Sequence, residues 1–437
     1  MSISRRRFLA GAGVAATGLM RPGKALGWDP TGVKGPDTGE GGSEWESDPL
    51  DSGRPATGEG PGQGAAQRPP ADRFDPWIEV EPEALAYNVQ VISRLTNGRP
   101  ILAVIKNNGY GLGLTTVGKI LEGFPEVVGL AVVKTEAALA LREAGIRKPV
   151  LLMALFGDED GAELVSRDVH LCLTTNDAAD RVARAETGAG KPAKTHIYLD
   201  TGMSRMGIPF HRALPWMEGL KARGIQVEST FIGFTEEPDY DRIQLQRFLD
   251  VAEAARALGF DPGTLHAASS AAVFNFPDAH LEMVRPGISL FGAYSSNEGK
   301  EAEIAELRPA GRLKARVVRV ERLRAGDSVS YGREYVAEKP TWVATLPVGH
   351  SDGYPREAVK GARVLINGRL YPPVGAVSAS HTIVEVGETE DVSIGDVATF
   401  TGPDHPEIHP NAIARRTGRS VYDVLMHLNG ALPKIVL

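Results

Sequence analysis

Eight short apolar runs, separated by longer amphipathic segments, constrain this chain more than any other feature. They are Ile101 to Lys106, Val128 to Val133, Pro149 to Ala154, Val169 to Thr174, Thr195 to Asp200, Val227 to Phe234, Leu265 to Ser270, and Met283 to Gly292. Their apolar character is largely continuous instead of alternating, which suits strands covered on both faces. Segments between them, such as Thr135 to Ala144 and Asp239 to Leu258, carry apolar residues at helical spacing. Eight such units over about 215 residues predict a (β/α)8 barrel.

After roughly Arg308 the rhythm changes to short alternating segments: Arg312 to Arg322, Thr341 to Val348, Ala362 to Ile366, Thr382 to Val386 and Asp396 to Phe400. Turn residues separate them, as in Ala325-Gly326-Asp327, Asn367-Gly368 and Ile394-Gly395-Asp396. The expected division is therefore a barrel over 73–308 and a mainly β domain over 309–437.

The front of the chain reads differently. Ser4-Arg5-Arg6-Arg7-Phe8-Leu9 opens an apolar and small-residue run to Met20, followed by Ala25-Leu26-Gly27. This resembles a twin-arginine export signal over 1–27, too short in its apolar part for a membrane span, and predicts an exported, periplasmic or extracellular protein. From Asp29 to Asp72 there are 10 Gly, 7 Pro and 9 acids against 3 bases. A segment of that composition buries too little apolar surface to offset its ordering entropy, so 28–72 is expected to be a linker.

Composition narrows the function. The net charge of -7 argues against a general nucleic-acid binder, and the single cysteine, Cys172, excludes an intramolecular disulfide framework or a Cys-rich zinc module. His405 and His409 flank Pro406 in a Pro-rich stretch, which predicts a solvated loop and no metal site. Gly113 to Lys119 nearly matches a phosphate-binding loop. Ile120 stands where magnesium needs a hydroxyl, so this stretch is expected to be the helix after the first barrel strand.

In a barrel of this type the reactive groups sit at the carboxyl ends of the strands. The first strand runs into Lys106-Asn107-Asn108-Gly109-Tyr110-Gly111, and a lysine there is placed for desolvation to lower its pKa, as a Schiff-base lysine requires. The fifth leads into Asp200-Thr201-Gly202-Met203-Ser204-Arg205-Met206-Gly207, the seventh into His266-Ala267-Ala268-Ser269-Ser270, and the eighth contains Val284-Arg285-Pro286-Gly287-Ile288. The β domain adds Val329-Ser330-Tyr331-Gly332 and Gly349-His350-Ser351-Asp352-Gly353-Tyr354.

Together, and in this order from about Trp77 to the C-terminus, these motifs resemble the fold-type III pyridoxal-phosphate enzymes, specifically the alanine racemase family. The resemblance implies an amino-acid racemase with pyridoxal 5'-phosphate bound to Lys106. Tyr110, Ser270, the backbone of Gly287 and Ile288, and Tyr422 would hold the phosphate. Arg285 would face the pyridine nitrogen and keep it unprotonated, favouring return of the proton to the α-carbon. Arg205 would meet the substrate carboxylate. Two bases are implied, Lys106 on one face and Tyr331 on the other, with Tyr331 supplied across a head-to-tail homodimer.

The chain also departs from the family pattern. Phe231 stands where a histidine normally links the base tyrosine to the ring arginine, and Tyr198 where a lysine, often modified by carbon dioxide, precedes the substrate arginine. His350 replaces a tyrosine, and Ser378-Ala379-Ser380 replaces Cys-Met-Asp. If His350 and Ala379 line the substrate pocket, amino acids larger than alanine should enter. A non-catalytic pyridoxal-phosphate carrier, or another reaction on the same bound cofactor, remain the alternatives. A decarboxylase of this architecture usually carries a cysteine in its β domain, whereas Cys172 lies in the barrel.

Overall fold

The computed structural model describes residues 73–437. The export signal and the linker expected over 1–72 lie outside the described residues.

Seven parallel strands form the barrel wall in the order Ile101–Val104, Val127–Val132, Val150–Leu152, Val169–Leu173, Thr195–Asp200, Val227–Phe231 and Thr264–His266. The eighth run closes the ring through isolated bridges, Ile101 to Val284 and His266 to Met283, not as a full strand. The backbone N–H groups of Leu102 and Val104 donate to the carbonyls of Val284 and Pro286, both at 2.9 Å. Pro286 has no N–H to return, which shortens the ladder, and the chain turns at once into a 3-10 helix over Ile288–Phe291. The expected helices appear as Thr135–Glu143 and Pro238–Ala257, and Leu114–Glu122 is the helix after the first barrel strand.

The domain boundary needs one correction. Trp77–Val80, expected inside the barrel, pairs antiparallel with Gly311–Arg316 and parallel with Lys434–Val436. It is thus an inner strand of a six-stranded sheet in the β domain. Its four residues are all buried, and Lys314 Nζ meets Glu79 at 2.9 Å to neutralise the one carboxylate among them. The helix Pro82–Leu95 then leads into the barrel. Asn88, fully buried, donates to the carbonyls of Leu290 and Arg308 at 3.0 and 2.8 Å and accepts from Arg308 N–H at 2.8 Å, which ties this helix to the segment that leaves the barrel.

The stretch Arg312 to Arg322 breaks into two strands, Gly311–Arg316 and Arg319–Leu323, which belong to different sheets. A four-stranded sheet runs Arg319–Leu323, Thr341–Leu346, Thr382–Gly387, Pro373–Val374. Ser328–Val329 and Tyr335–Val336 make a separate ribbon. Asn367 and Gly368 turn the hairpin between Val364–Ile366 and Arg369–Tyr371 with φ of 49° and 75°, as the dipeptide predicts. His405 and His409 are partly buried and not freely solvated. Each ring Nδ1 accepts a backbone N–H, from Glu407 at 3.1 Å and Asn411 at 3.2 Å, and so caps a helix start. Among the described residues no helix is long and apolar enough to cross a membrane.

Candidate active site

At the end of the first barrel strand the backbone changes hand. Asn107, Asn108, Gly109 and Tyr110 have φ of 52°, 57°, 59° and 51°, a left-handed turn that begins directly after Lys106. Asparagine tolerates this conformation; a tyrosine there is strained, and such strain persists where the surroundings over-determine it. Tyr110 is held by stacking on Phe291 at 4.6 Å between centroids.

Lys106 opens onto a cavity of about 550 Å³ that is also lined by Tyr110, Arg205, Ser270, Arg285, Gly287 and Tyr422. The structure thus brings the expected cofactor residues and the substrate arginine into one space. Ile288 is buried beneath this wall. Burial, then the charges of Arg205 and Arg285, hold the Lys106 amine below the usual lysine range. Burial likewise raises the Tyr110 and Tyr422 phenols, which keeps both as neutral hydroxyls able to donate to an anion.

Ser270 is the first residue of the helix Ser270–Asn275, not its cap. Its hydroxyl accepts the N–H of Gly287 at 2.9 Å and of Ser289 at 3.3 Å. A Cβ on Gly287 would collide with the Tyr110 hydroxyl, so only glycine allows these two groups to approach. Hydroxyls, backbone N–H groups and three basic side chains around one cavity fit a phosphorylated cofactor and an amino-acid carboxylate.

Arg285 is buried and fixed from two sides. Nη1 meets His266 Nδ1 at 2.9 Å, and Nη2 donates to the Ile232 carbonyl at 2.6 Å. Burial lowers its pKa to about 10, so it remains cationic near neutrality. Phe231 lines the cavity with the Arg285 guanidinium 4.8 Å from its ring centroid and His266 stacked at 5.0 Å. Phe231 stacks here but supplies no hydrogen bond to relay.

Three expected site residues stand apart from this cavity in the single chain. Tyr331 is 76% exposed at the turn between Ser328–Val329 and Tyr335–Val336. His350 and Ala379 are exposed and do not line the cavity, contrary to a pocket built within one chain. They do meet each other's loops: His350 N–H donates to Ser378 O at 3.0 Å and Ser351 N–H to Ala379 O at 2.9 Å. Ser330 Oγ donates to Ala376 O at 3.1 Å, which joins the Tyr331 turn to the same surface. The backbone of Ser330 has φ 62° and ψ -168°, a region costly for any side chain.

Sequence reasoning missed other members of the site. Met153, Met203 and Glu236 line the cavity. Beneath it, His170, His196 and Ser229 sit on neighbouring barrel strands, all buried, behind His266. For His170 and His196 the signal was a histidine inside a largely apolar run, whereas Ser229 stands between Glu228 and Thr230 and gave none.

Comparison with known proteins finds matches over most of the described chain. Family models for the N-terminal and C-terminal domains of alanine racemase match residues 80–295 and 310–436. The chain is 32% identical over 370 residues to an alanine racemase of Desulforamulus reducens, covering 83% of this chain and 98% of that protein. It is 34% identical over 366 residues to one of Carboxydothermus hydrogenoformans, covering 82% and 98%. Among solved structures, an alanine racemase of Clostridium difficile superposes with a TM-score of 0.77 at 27% identity, covering 84% of this chain and 96% of that one. The enzyme of Streptomyces lavendulae gives 0.77 at 28%, covering 84% and 97%.

Proposed function

Because this chain belongs to the alanine racemase family of pyridoxal-phosphate enzymes, we propose that it interconverts L- and D-alanine and also accepts larger amino acids. The observation that carries the reading is Lys106, its amine depressed by burial and by Arg205 and Arg285, opening onto a cavity with the hydroxyls of Tyr110, Ser270 and Tyr422. Bound there, pyridoxal phosphate would withdraw electrons from the substrate α-carbon and acidify its C–H bond.

The protein's own groups then have separate tasks. Tyr110, Ser270, Tyr422 and the backbone of Gly287 and Ile288 bind the phosphate, and Arg205 orients the substrate carboxylate. Arg285, which can only donate, opposes protonation of the ring nitrogen. Lys106 Nζ, its pKa lowered by burial and by Arg205 and Arg285, takes or returns the α-proton on one face. We assign the opposite face to the Tyr331 hydroxyl of the partner subunit. The exposure of Tyr331, and its linkage through Ser330 and Ala376 to the surface bearing His350 and Ala379, support a homodimer in which that surface covers the partner's cavity.

His350 and Ala379 would then border the substrate, smaller or differently shaped than the usual tyrosine and methionine. Each methylene-scale fit controls roughly 1 to 3 kcal/mol of selectivity, so Lys, Arg, Met and Ser should turn over beside Ala. Export by the twin-arginine route, with cofactor loaded before transport, completes the proposal; Arg5→Lys with Arg6→Lys should leave the protein in the cytoplasm.

The deciding experiment incubates purified protein and pyridoxal phosphate with single L-amino acids and reads the products by chiral chromatography. D-alanine and at least one larger D-amino acid should form. Formation of D-alanine alone removes the broad specificity, and no D-enantiomer from any substrate removes the racemase reading. His350→Tyr should move relative turnover towards alanine.

A further inference from the structure

Behind Arg285 runs a file of polar side chains that the proposed reaction leaves without a task. His266 Nδ1 meets Arg285 Nη1 at 2.9 Å, and His266 Nε2 meets Ser229 Oγ at 2.9 Å. Ser229 Oγ meets His196 Nδ1 at 2.6 Å, and His196 Nε2 meets His170 Nδ1 at 2.8 Å. Each of these residues is more than nine-tenths buried. The file crosses four adjacent strands, with Ser229 paired to His196 and His266 paired to Phe231.

The direction of every hydrogen bond follows from the Arg285 end and from the pairing of the Ser229 hydrogen. A guanidinium has donors only, so His266 Nδ1 must accept and His266 must carry its proton on Nε2. That proton points at Ser229 Oγ, which among the described residues has His196 Nδ1 as its other partner; a serine accepting from both rings would bury an unpaired O–H, so its hydrogen is directed at His196 Nδ1. His196 is left with its proton on Nε2, which donates to His170 Nδ1, and His170 too must hold its proton on Nε2. Reversing the order would face an N–H of His266 against the N–H of Arg285. An extra proton on Nδ1 of His170 or His266 would set two donors against each other, and one on Nδ1 of His196 would leave the buried Ser229 O–H unpaired.

We propose that His170, His196, Ser229 and His266 form a proton-ordered file, all three imidazoles neutral and protonated on Nε2, that positions the Arg285 guanidinium. Burial supports this: it lowers His170 to about 4 and His196 to about 3, and holds His266 well below 6.5 with Arg285 adding to the effect. The charged groups that face His170 are Glu228, Lys194, Arg142 and Asp168, two of each sign. His196 faces His170 and Lys194, and His266 faces Arg285 and His196. Because these four residues act through Arg285, they are positioning residues.

The test is a ring-nitrogen NMR spectrum of the histidine-labelled protein as purified, with signals assigned through His170→Gln and His196→Gln. Three rings should show Nε2–H and a bare Nδ1, unchanged between pH 8 and pH 6. An Nδ1–H tautomer, or a charged ring, at any of the three overturns the proposal. In the holoenzyme, Ser229→Ala should lower kcat roughly 10- to 100-fold, as loss of a contact that orients an active-site group does elsewhere, with KM little changed and His196 no longer in one tautomer. Ser229→Thr, which returns a hydroxyl, should recover both. A kcat within twofold of the parent and a single His196 tautomer in Ser229→Ala would sink the file as a positioning device. The kinetic arm rests on the racemase reading and the spectroscopic arm does not. Three Nε2–H rings in a protein that racemises nothing would therefore refute that reading and support the ordered file.

Discussion

The ring of Tyr198 lies against Phe231 with centroids 4.6 Å apart and planes 28° from parallel, joining two positions expected from the sequence to depart from the family pattern. Both also touch one apolar layer inside the barrel, with Leu102, Val104, Leu151 and Cys172. The two departures therefore belong together. A lone histidine or ammonium in this layer would need a buried partner, whereas a stacked aromatic pair requires none for its rings. The cavity has basic side chains at Lys106, Arg205 and Arg285 and an aromatic wall that includes Tyr198 and Phe231.

Lys106 should react as a depressed amine. In the cofactor-free protein, competitive acylation of Lys106 is expected to reach its half-maximum at a lower pH than that of exposed lysines. Arg205→Gln should move that midpoint upward by removing one of the charges that disfavour the ammonium. Peptide mapping by mass spectrometry reads both, and a midpoint unmoved by Arg205→Gln would discard the Coulombic cause.

Gly287→Ala should fill the place where the Tyr110 hydroxyl approaches. Cofactor retention during dialysis is expected to weaken roughly tenfold or more, about 1.4 kcal/mol, while the thermal midpoint of the cofactor-free protein changes little. Ser270→Ala should act in the same direction, because it strips the acceptor from the Gly287 N–H.

Tyr331→Phe should be inactive or strongly impaired in a manner that differs between the two enantiomers, read as α-proton exchange into deuterated water. Mixing this variant with Lys106→Ala should restore part of the turnover, because one site of a mixed dimer then holds both bases. Proven subunit exchange without recovery would count against Tyr331 acting across the interface.

The buried histidines should make the fold acid-sensitive. His170 titrates near 4 when folded and near 6.5 when unfolded, so between those values the unfolded chain binds the proton that the folded one refuses. Stability is therefore full above about pH 6.5 and lost as pH falls towards 4, by about 3 kcal/mol for this residue. His196 shifts the same way. Urea unfolding at pH 7.5 and pH 5 should show the loss, and His170→Phe should reduce it.

Sequence alone determined the features that repeat locally. The apolar runs predict the barrel because a strand covered on both faces must be apolar wherever it occurs, and strand ends locate Lys106, Arg205, Ser270 and Arg285 because that end of a barrel faces its cavity. Asn367-Gly368 predicts its hairpin from two backbone angles. Only the tertiary structure decided the pairings between distant segments. Trp77–Val80 reads as one more buried strand, and nothing within its four residues says that Gly311–Arg316 and Lys434–Val436 will flank it. The eighth run contains Pro286, whose missing donor leaves bridges in place of a strand. Tyr331, His350 and Ala379 read as site residues, yet the folded chain holds them on its surface, away from Lys106. His170, His196, Ser229 and His266 are separated by 26, 33 and 37 residues between successive members. Each alone is a polar residue in a strand. Their hydrogen bonds exist because barrel closure sets four strands side by side, and a hydrogen bond needs two groups within about 3 Å whatever their distance in sequence.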